Sequence, residues 1–384
     1  MKIGIITLLG NNYGNRLQNY AVQELLKNID NSTVYTVPFE KNKINKGNAN
    51  ISKKNMSYYI KAFNSRMKNI YSFNYEKHNF VYNVFYFLFC IKKMNSLLQE
   101  RNEKFKKFDQ CYINYEDKTL TIDNNAWVKD YDFFVCGSDQ IWNPYYPTCN
   151  ELAFLQFIEE KKRISLSASF GVNEIPSNQE ENYKKWLNGI PNISVREKEG
   201  VDIVKKLTDK DATLLLDPTM LVDISIWKEM MKKPENHPNE KYAVCYFLGN
   251  LTKDYKNFIN KMSKKYNLKI ISVLDIEDDM YFSCDPAELV YLISHAEHVF
   301  TDSFHGSVFS ILFKRNFTVF DRVEEGKSMS SRIKTLLQTF HIEEKMYMNG
   351  EDISNKKVNY DYIEEVLKDN KDRYKRFIDS ALER

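Results

Sequence analysis

A chain of 384 residues, 43% hydrophobic and 28% charged, is too long for one ordinary core and has the balance of a soluble two-domain globular protein. Its formal net charge is +3, and no apolar run approaches the length of a bilayer span, so no membrane-spanning helix is expected. The six cysteines, at 90, 111, 136, 149, 245 and 284, include no pair at two-residue spacing. That scatter argues against a zinc framework or a disulfide scaffold and fits a reducing cytoplasm.

The chain opens on an apolar run of strand length, IGIITLL (3–9), then passes through GNNYGNRLQNY into the helix pattern AVQELLKNI. The run is too short for the apolar core of a signal peptide, so no targeting segment is expected. Strand, glycine loop and helix in this order predict the entry to a Rossmann-like domain. Gly10 and Gly14 do not fit the dinucleotide fingerprint and serve either tight turning or a ligand's approach. Asn15, Arg16 and Gln18, at the loop–helix junction, are candidates to hydrogen-bond a sugar or a phosphate. Val34–Phe39 is expected to be the next strand.

From 41 to 107 the character changes. This stretch carries 15 lysines and arginines against 3 acidic residues, a balance of +12 in a chain of +3. Its middle is crowded with aromatics (FVYNVFYFLFCI, 80–91). We read 41–110 as a helical, basic insertion. It is either a buried helix hairpin with a solvated basic face or a surface resting on a membrane or a lipid-linked substrate. No nucleic-acid-binding motif accompanies the charge, so nucleic acid is not expected as a partner.

The Rossmann-like pattern resumes at Tyr131–Cys136 and ends in Gly137-Ser138-Asp139-Gln140. Strand ends followed by short polar loops line the ligand crevice of open α/β sheets, which makes Ser138, Asp139 and Gln140 candidates for sugar hydroxyls. Asp139 would equally serve as a helix cap. Trp142 reads as core. The strand RISLSAS (163–169) follows, and Ile193-Ser194-Val195 leads into Arg196-Glu197. An arginine at a strand end suits a carboxylate or phosphate, because its planar fork binds both bidentately, but a surface ion pair with Glu197 or Glu199 explains it as well. Leu214–Leu216 forms a strand broken by Asp217-Pro218.

The polar stretch 231–241, with two prolines, marks the boundary between an N-terminal domain (1–230) and a C-terminal one (240–345). In the second domain, Tyr242–Phe247 and Lys269–Leu274 read as strands. Asp285, Pro286 and Glu288 spell a helix start. Val299–Phe300, the polar break 301–303, a helical stripe from Ser307 and the strand Phe317–Phe320 form a strand–loop–helix–strand unit. A helix start offers unpaired N–H groups and partial positive charge, so its loop, with Ser303, His305, Gly306 and Ser307, is a natural anion site. His305 is either a capping or buried hydrogen-bonded residue or a group titrating near neutrality. The tail 360–384 is expected as a helix packing back on the first domain.

Six runs in order, NNYGNRLQNYAVQELL (11–26), DFFVCGSDQIWNP (132–144), ISLSASFG (164–171), ISVREKEG (193–200), LLLDPTMLV (214–222) and TDSFHGSVFSILF (301–313), resemble the polysaccharide pyruvyl transferase family. The resemblance implies two Rossmann-like domains facing across a cleft, the GT-B-like architecture. It also implies a metal-independent, cofactor-free transferase that moves the enolpyruvyl unit of phosphoenolpyruvate onto two hydroxyls of a glycan sugar. The product is a cyclic ketal, with phosphate leaving. His305 matches the family's catalytic histidine and would act as general acid. The helix dipole would lower its pKa and a bound dianionic donor would raise it. Arg196 matches the arginine that would hold the donor, with Ser303, Gly306 and Ser307. Relatives often carry arginine where this chain has Ser303 and leucine where it has Phe304. Arg332 or Lys327 is expected to supply the missing cation. The rival readings are a nucleotide-sugar glycosyltransferase of the same architecture and a non-catalytic glycan-binding relative.

Overall fold

The computed structural model describes residues 1–10, 12–30, 32–41, 80–275, 278–323, 331–348, 350–353 and 356–382. Strands β1 (Lys2–Ile6), β2 (Thr33–Thr36), β3 (Phe133–Cys136), β4 (Arg163–Ala168), β5 (Asn192–Val195) and β6 (Thr213–Leu214) form one parallel sheet in the order β2-β1-β3-β4-β5-β6. A second parallel sheet, in the order β10-β9-β7-β8, holds β7 (Tyr242–Tyr246), β8 (Lys269–Val273), β9 (His298–Thr301) and β10 (Asn316–Val319). The first sheet lies wholly before the polar stretch 231–241 and the second wholly after it. The fold is therefore α/β, with two Rossmann-like sheets in a GT-B-like arrangement.

Helices cover both faces of a parallel sheet, so its strands carry apolar residues without alternation. β7 (YAVCY) and β9 (HVFT) are buried at every position, as is β4 (RISLSA). The serines of β4 and β5 answer one another instead of water. Ser165 Oγ donates to the Ser194 carbonyl at 2.7 Å, and Ser194 Oγ returns a bond to the Ser165 carbonyl at 2.8 Å. Beyond them the register slips between Ser165 and Ala168, with Ser167 at φ +48°. That bulge breaks the ladder at the strand's carboxyl end.

Each sheet has a switch point where the winding reverses, between β1 and β3 in the first and between β7 and β9 in the second. Ligand crevices form there, beyond the carboxyl ends of the strands. The largest apolar cluster bridges the lobes. It joins Tyr13, Leu17 and Tyr20 of the helix Tyr13–Lys27 and Trp227 of the helix Ile224–Met230 to Tyr246, Phe304 and Phe309 of the second lobe.

The helix Phe80–Tyr112 runs 33 residues, and its C-terminal part buries Phe105 and Phe108 in that same cluster. The membrane reading rests on 41–107, of which residues 42–79 lie outside the described residues. No described helix is long and apolar enough to cross a membrane. The C-terminal helix Tyr360–Ala381 starts against the second lobe, where Tyr360 and Ile363 border a groove with Phe313. It ends with Ile378, Ala381 and Leu382 buried against Ile3, Ile5, Val22 and Leu26 of the first.

Candidate functional site

Both switch points open onto one crevice of about 210 Å³, lined by Leu8, Asn12, Asn15, Asp139, Gln140, Tyr146, Leu248, Ser303, Phe304, His305, Arg322 and Arg332. The first lobe supplies the loops after β1 and β3. The second supplies the loops after β7, β9 and β10 and the start of the helix Ser331–Thr339.

The helix carrying the histidine is Phe304–Leu312. Ser303 is its N-cap, in extended backbone, its hydroxyl accepting from the Gly306 amide at 3.4 Å. This hydroxyl is spent on the helix start and supplies no positive charge. Gly306 does permit a close approach, but the approach is to Thr301, whose Oγ1 and Cβ a Cβ at 306 would strike. Ser307 is buried and donates to the Ser303 carbonyl at 3.2 Å. Neither Gly306 nor Ser307 lines the crevice.

His305 reaches across the lobes. Its Nδ1 edge packs on Gly14, where any Cβ would overlap the ring. Gly14 has ordinary helical backbone, so the histidine, not a turn, demands glycine here. The helix itself starts at Tyr13, capped by Asn12, so Asn15, Arg16 and Gln18 fall within its first two turns. His305 Nε2 is enclosed without a hydrogen-bond partner, 3.9 Å from Asp217 Oδ1. Burial lowers its pKa below the ordinary value; Asp217 and Asp139 oppose that shift, and Arg196 and Arg332 reinforce it. Burial is the largest of these effects, so the ring sits below its ordinary pKa.

Arg196, 1% exposed at its side chain, stands one layer behind the crevice. It donates to Asp217 Oδ2 at 2.6 Å and to Asp139 Oδ1 at 2.9 Å, and its third nitrogen lies 3.8 Å from Glu197. The guanidinium also stacks over Phe304, 4.7 Å from the ring centroid. The fork assigned from sequence to the donor is thus occupied by the protein's own carboxylates. Its burial is deeper than a surface pair with Glu197 would require. Arg196 and His305 nevertheless share one cluster, because both converge on Asp217.

Asp139 caps no helix. It sits at φ +56° just beyond β3 and accepts from Asn15 Nδ2 as well as from Arg196. Burial alone would raise its pKa, but Arg196, His305 and Arg332 hold it down to about 2. Gln140, with its amide oxygen turned toward Arg332, accepts at 2.8 and 3.1 Å. Arg332 NH1 lies 3.7 Å from Asp139. Burial and the repulsion of Arg196 push Arg332 down to about 10.

The structure therefore brings Asn15, Asp139, Gln140, Ser303, His305 and Arg332 together. Arg16 is turned away, ion-paired to Asp109 at 3.0 Å and lying over Phe105. Gln18 is buried, donating to Thr7 Oγ1 and accepting from the Ser138 amide. Ser138 Oγ is buried too, bonded to the Ser167 carbonyl and to Asp217. Lys327 lies outside the described residues.

Arg322 was missed from sequence. It follows β10 and sits beside Asp302, with Nε 3.6 Å from the carboxylate. Asp302 in turn accepts from the Leu248 and Gly249 amides at 2.7 and 2.8 Å, fixing the loop after β7. An arginine just past a strand end was the available signal, the one that singled out Arg196.

A family model described as polysaccharide pyruvyl transferase matches residues 12–322. No curated protein matches the chain. Among solved structures, UDP-GlcNAc 2-epimerase from Neisseria meningitidis bound to UDP-GlcNAc is similar at 12% identity and a TM-score of 0.43, over 96% of this chain and 100% of that one. A putative UDP-N-acetylglucosamine 2-epimerase from Listeria monocytogenes is similar at 9% identity and a TM-score of 0.46, over 100% of this chain and 90% of that one. Likeness at this level carries no functional weight.

Proposed function

The chain belongs to the polysaccharide pyruvyl transferase family, and we propose on that footing that it transfers pyruvyl from phosphoenolpyruvate to two hydroxyls of a glycan sugar. The observation that carries this reading is the pairing of Arg322 and Arg332 with His305 in one small crevice. At about 210 Å³ the crevice is below the roughly 300–1,000 Å³ of pockets for drug-sized ligands, which suits a three-carbon acid better than a nucleotide-sugar. Arg332 and Arg322 would take the donor's phosphate and carboxylate through charge-assisted bonds. Arg196 would act on the donor indirectly, by holding Asp139 and Asp217 in place. Asn15, Asp139 and Gln140 face the same space from the first lobe and would orient the sugar hydroxyls.

The chemistry balances with one acid. One hydroxyl adds to C2 of the enol as the methylene carbon takes a proton from the acid, and that hydroxyl's own proton returns to the acid. The second hydroxyl then displaces phosphate from C2, closing the ketal, and its proton leaves with the phosphate. His305, whose pKa burial lowers, would become protonated as the anionic donor binds. It would then protonate the methylene or assist phosphate departure. No metal is invoked in these steps.

Phosphate release from phosphoenolpyruvate, measured with and without a panel of glycan acceptors, tests the proposal. Release should depend on acceptor and fall by about 10²–10⁴ in His305→Ala, the usual contribution of a positioned acid. Stabilisation by nucleotide-sugars but not by phosphoenolpyruvate would favour the glycosyltransferase reading. Binding without any phosphate release would favour a non-catalytic glycan-binding relative. Whether the acceptor is lipid-linked, with the chain against a membrane through 41–107, is tested by comparing free and lipid-linked acceptors.

A further inference from the structure

We propose that Asp217 is the positioning residue of His305, accepting a hydrogen bond from Nε2–H across the lobe interface and so fixing which ring nitrogen carries the proton in the neutral imidazole. The inference rests on the pyruvyl-transfer reading for its catalytic consequence, but not for its geometry.

Asp217 is fully enclosed, and nearly all its bonding capacity is organised. Oδ1 accepts from the Thr219 amide at 3.1 Å and from Thr219 Oγ1 at 2.7 Å, which makes it the N-cap of the short helix Pro218–Leu221. Oδ2 accepts from Arg196 at 2.6 Å and from Ser138 Oγ at 2.9 Å. This carboxylate is fixed from both sides by the first lobe, and an unpartnered ring nitrogen approaches it from the second. His305 Nε2 has no partner and lies 3.9 Å away. That is too long for a hydrogen bond. An approach of about 1 Å between the lobes would make it one, and catalytic hydrogen bonds in empty sites often tighten only on ligand binding. A base whose far nitrogen is held by a carboxylate keeps one tautomer and one orientation.

The charged groups around the imidazole are Asp217 and Asp139, which favour its protonated form, and Arg196 and Arg332, which disfavour it. Arg196 cancels much of the negative charge nearby, so Asp217 serves orientation as much as charge. Asn in its place would keep the helix cap, because asparagine is as good an N-cap as aspartate.

Two measurements decide the matter. In wild-type protein labelled with ¹⁵N-histidine, the resonance lost in His305→Ala is assigned to His305. In the neutral ring its proton should sit on Nε2; a proton on Nδ1 overturns the proposal. This reading uses no change at Asp217, so it holds whatever Asp217→Asn does to folding. In Asp217→Asn the His305 titration should fall by about one pH unit or more. The alkaline limb of kcat should move with it, and kcat should drop about tenfold or more while KM for phosphoenolpyruvate stays within about threefold. An unmoved titration, with kcat per folded molecule intact, overturns the proposal. Absence of phosphate release in the wild type would instead defeat the pyruvyl-transfer reading, and the two NMR results would still decide the pairing.

Discussion

At the scale of single residues the site is an exercise in charge held out of water. Asp139 is the clearest case. Its carboxyl, at about 2 in the folded chain against an ordinary 3.8, is stabilised as the anion. A depressed acid contributes stability that is present above its unfolded value and lost as pH falls through the folded one. The contribution is on the order of 2 kcal/mol. Urea midpoints should therefore fall steeply between about pH 4 and pH 2, and less steeply in Asp139→Asn. Arg332 gives a second expectation. If it holds an acidic group of the donor, Arg332→Ala should weaken phosphoenolpyruvate binding by about 1.5–3 kcal/mol, roughly ten- to a hundredfold by calorimetry. Unchanged affinity would leave Ser303 without its compensating cation. For His305 the sign runs the other way from Asp139. A general acid works only while protonated, so turnover should decline as pH rises through the donor-bound pKa of the ring. That limb should lie higher at saturating donor than in the free enzyme, because the donor's negative charge favours the protonated imidazole.

At the scale of elements the sequence was legible where local rules govern and opaque where distant side chains meet. The unit around 297–320 emerged as read, because apolar period and polar break are local signals. The start at Asp285 emerged too, with Asp285 accepting from the Glu288 amide at 2.8 Å and Glu288 accepting from Asp285 at 3.0 Å. Replacing Asp285 by alanine should cost about 1 kcal/mol in denaturant unfolding. The strand expected over Val34–Phe39 is shorter, Thr33–Thr36, with Phe39 held in a single bridge to Leu120. The side chains of Gln18 and Arg16 point away from the crevice for a reason no spacing reveals. One meets the Ser138 amide 120 residues on, the other Asp109 93 residues on. Arg196 was found by its strand end, yet its partners Asp139 and Asp217 lie beyond the ends of two other strands, β3 and β6, and their capture of its fork is a tertiary fact. The C-terminal helix joins the first sheet through Ile378, which is buried. Ile378→Ala should cost about 2–5 kcal/mol, read as a lower urea midpoint.

At the scale of the whole molecule, the lobes share an apolar cluster that crosses between them, beside a core of their own in each. Tyr13, Trp227 and Phe309 belong to one continuous apolar cluster, with Trp227 edge-on to Phe309 at 4.9 Å between ring centroids. Calorimetry should therefore show one transition with calorimetric and van't Hoff enthalpies in near agreement, and Trp227→Ala should shift it without splitting it. Two resolved transitions would mean that the interface is weaker than its burial suggests.

The contact between Gly14 and the His305 ring carries a consequence for how this chain can be recombined with its relatives. The residue that must stay small and the residue that must fit above it sit on opposite halves, almost 300 positions apart. A hybrid splicing one parent's front half to another's rear half inherits working chemistry only if both parents agree at that joint. Mismatched grafts should come out folded yet inert, and exchanging the single residue at position 14 should revive them.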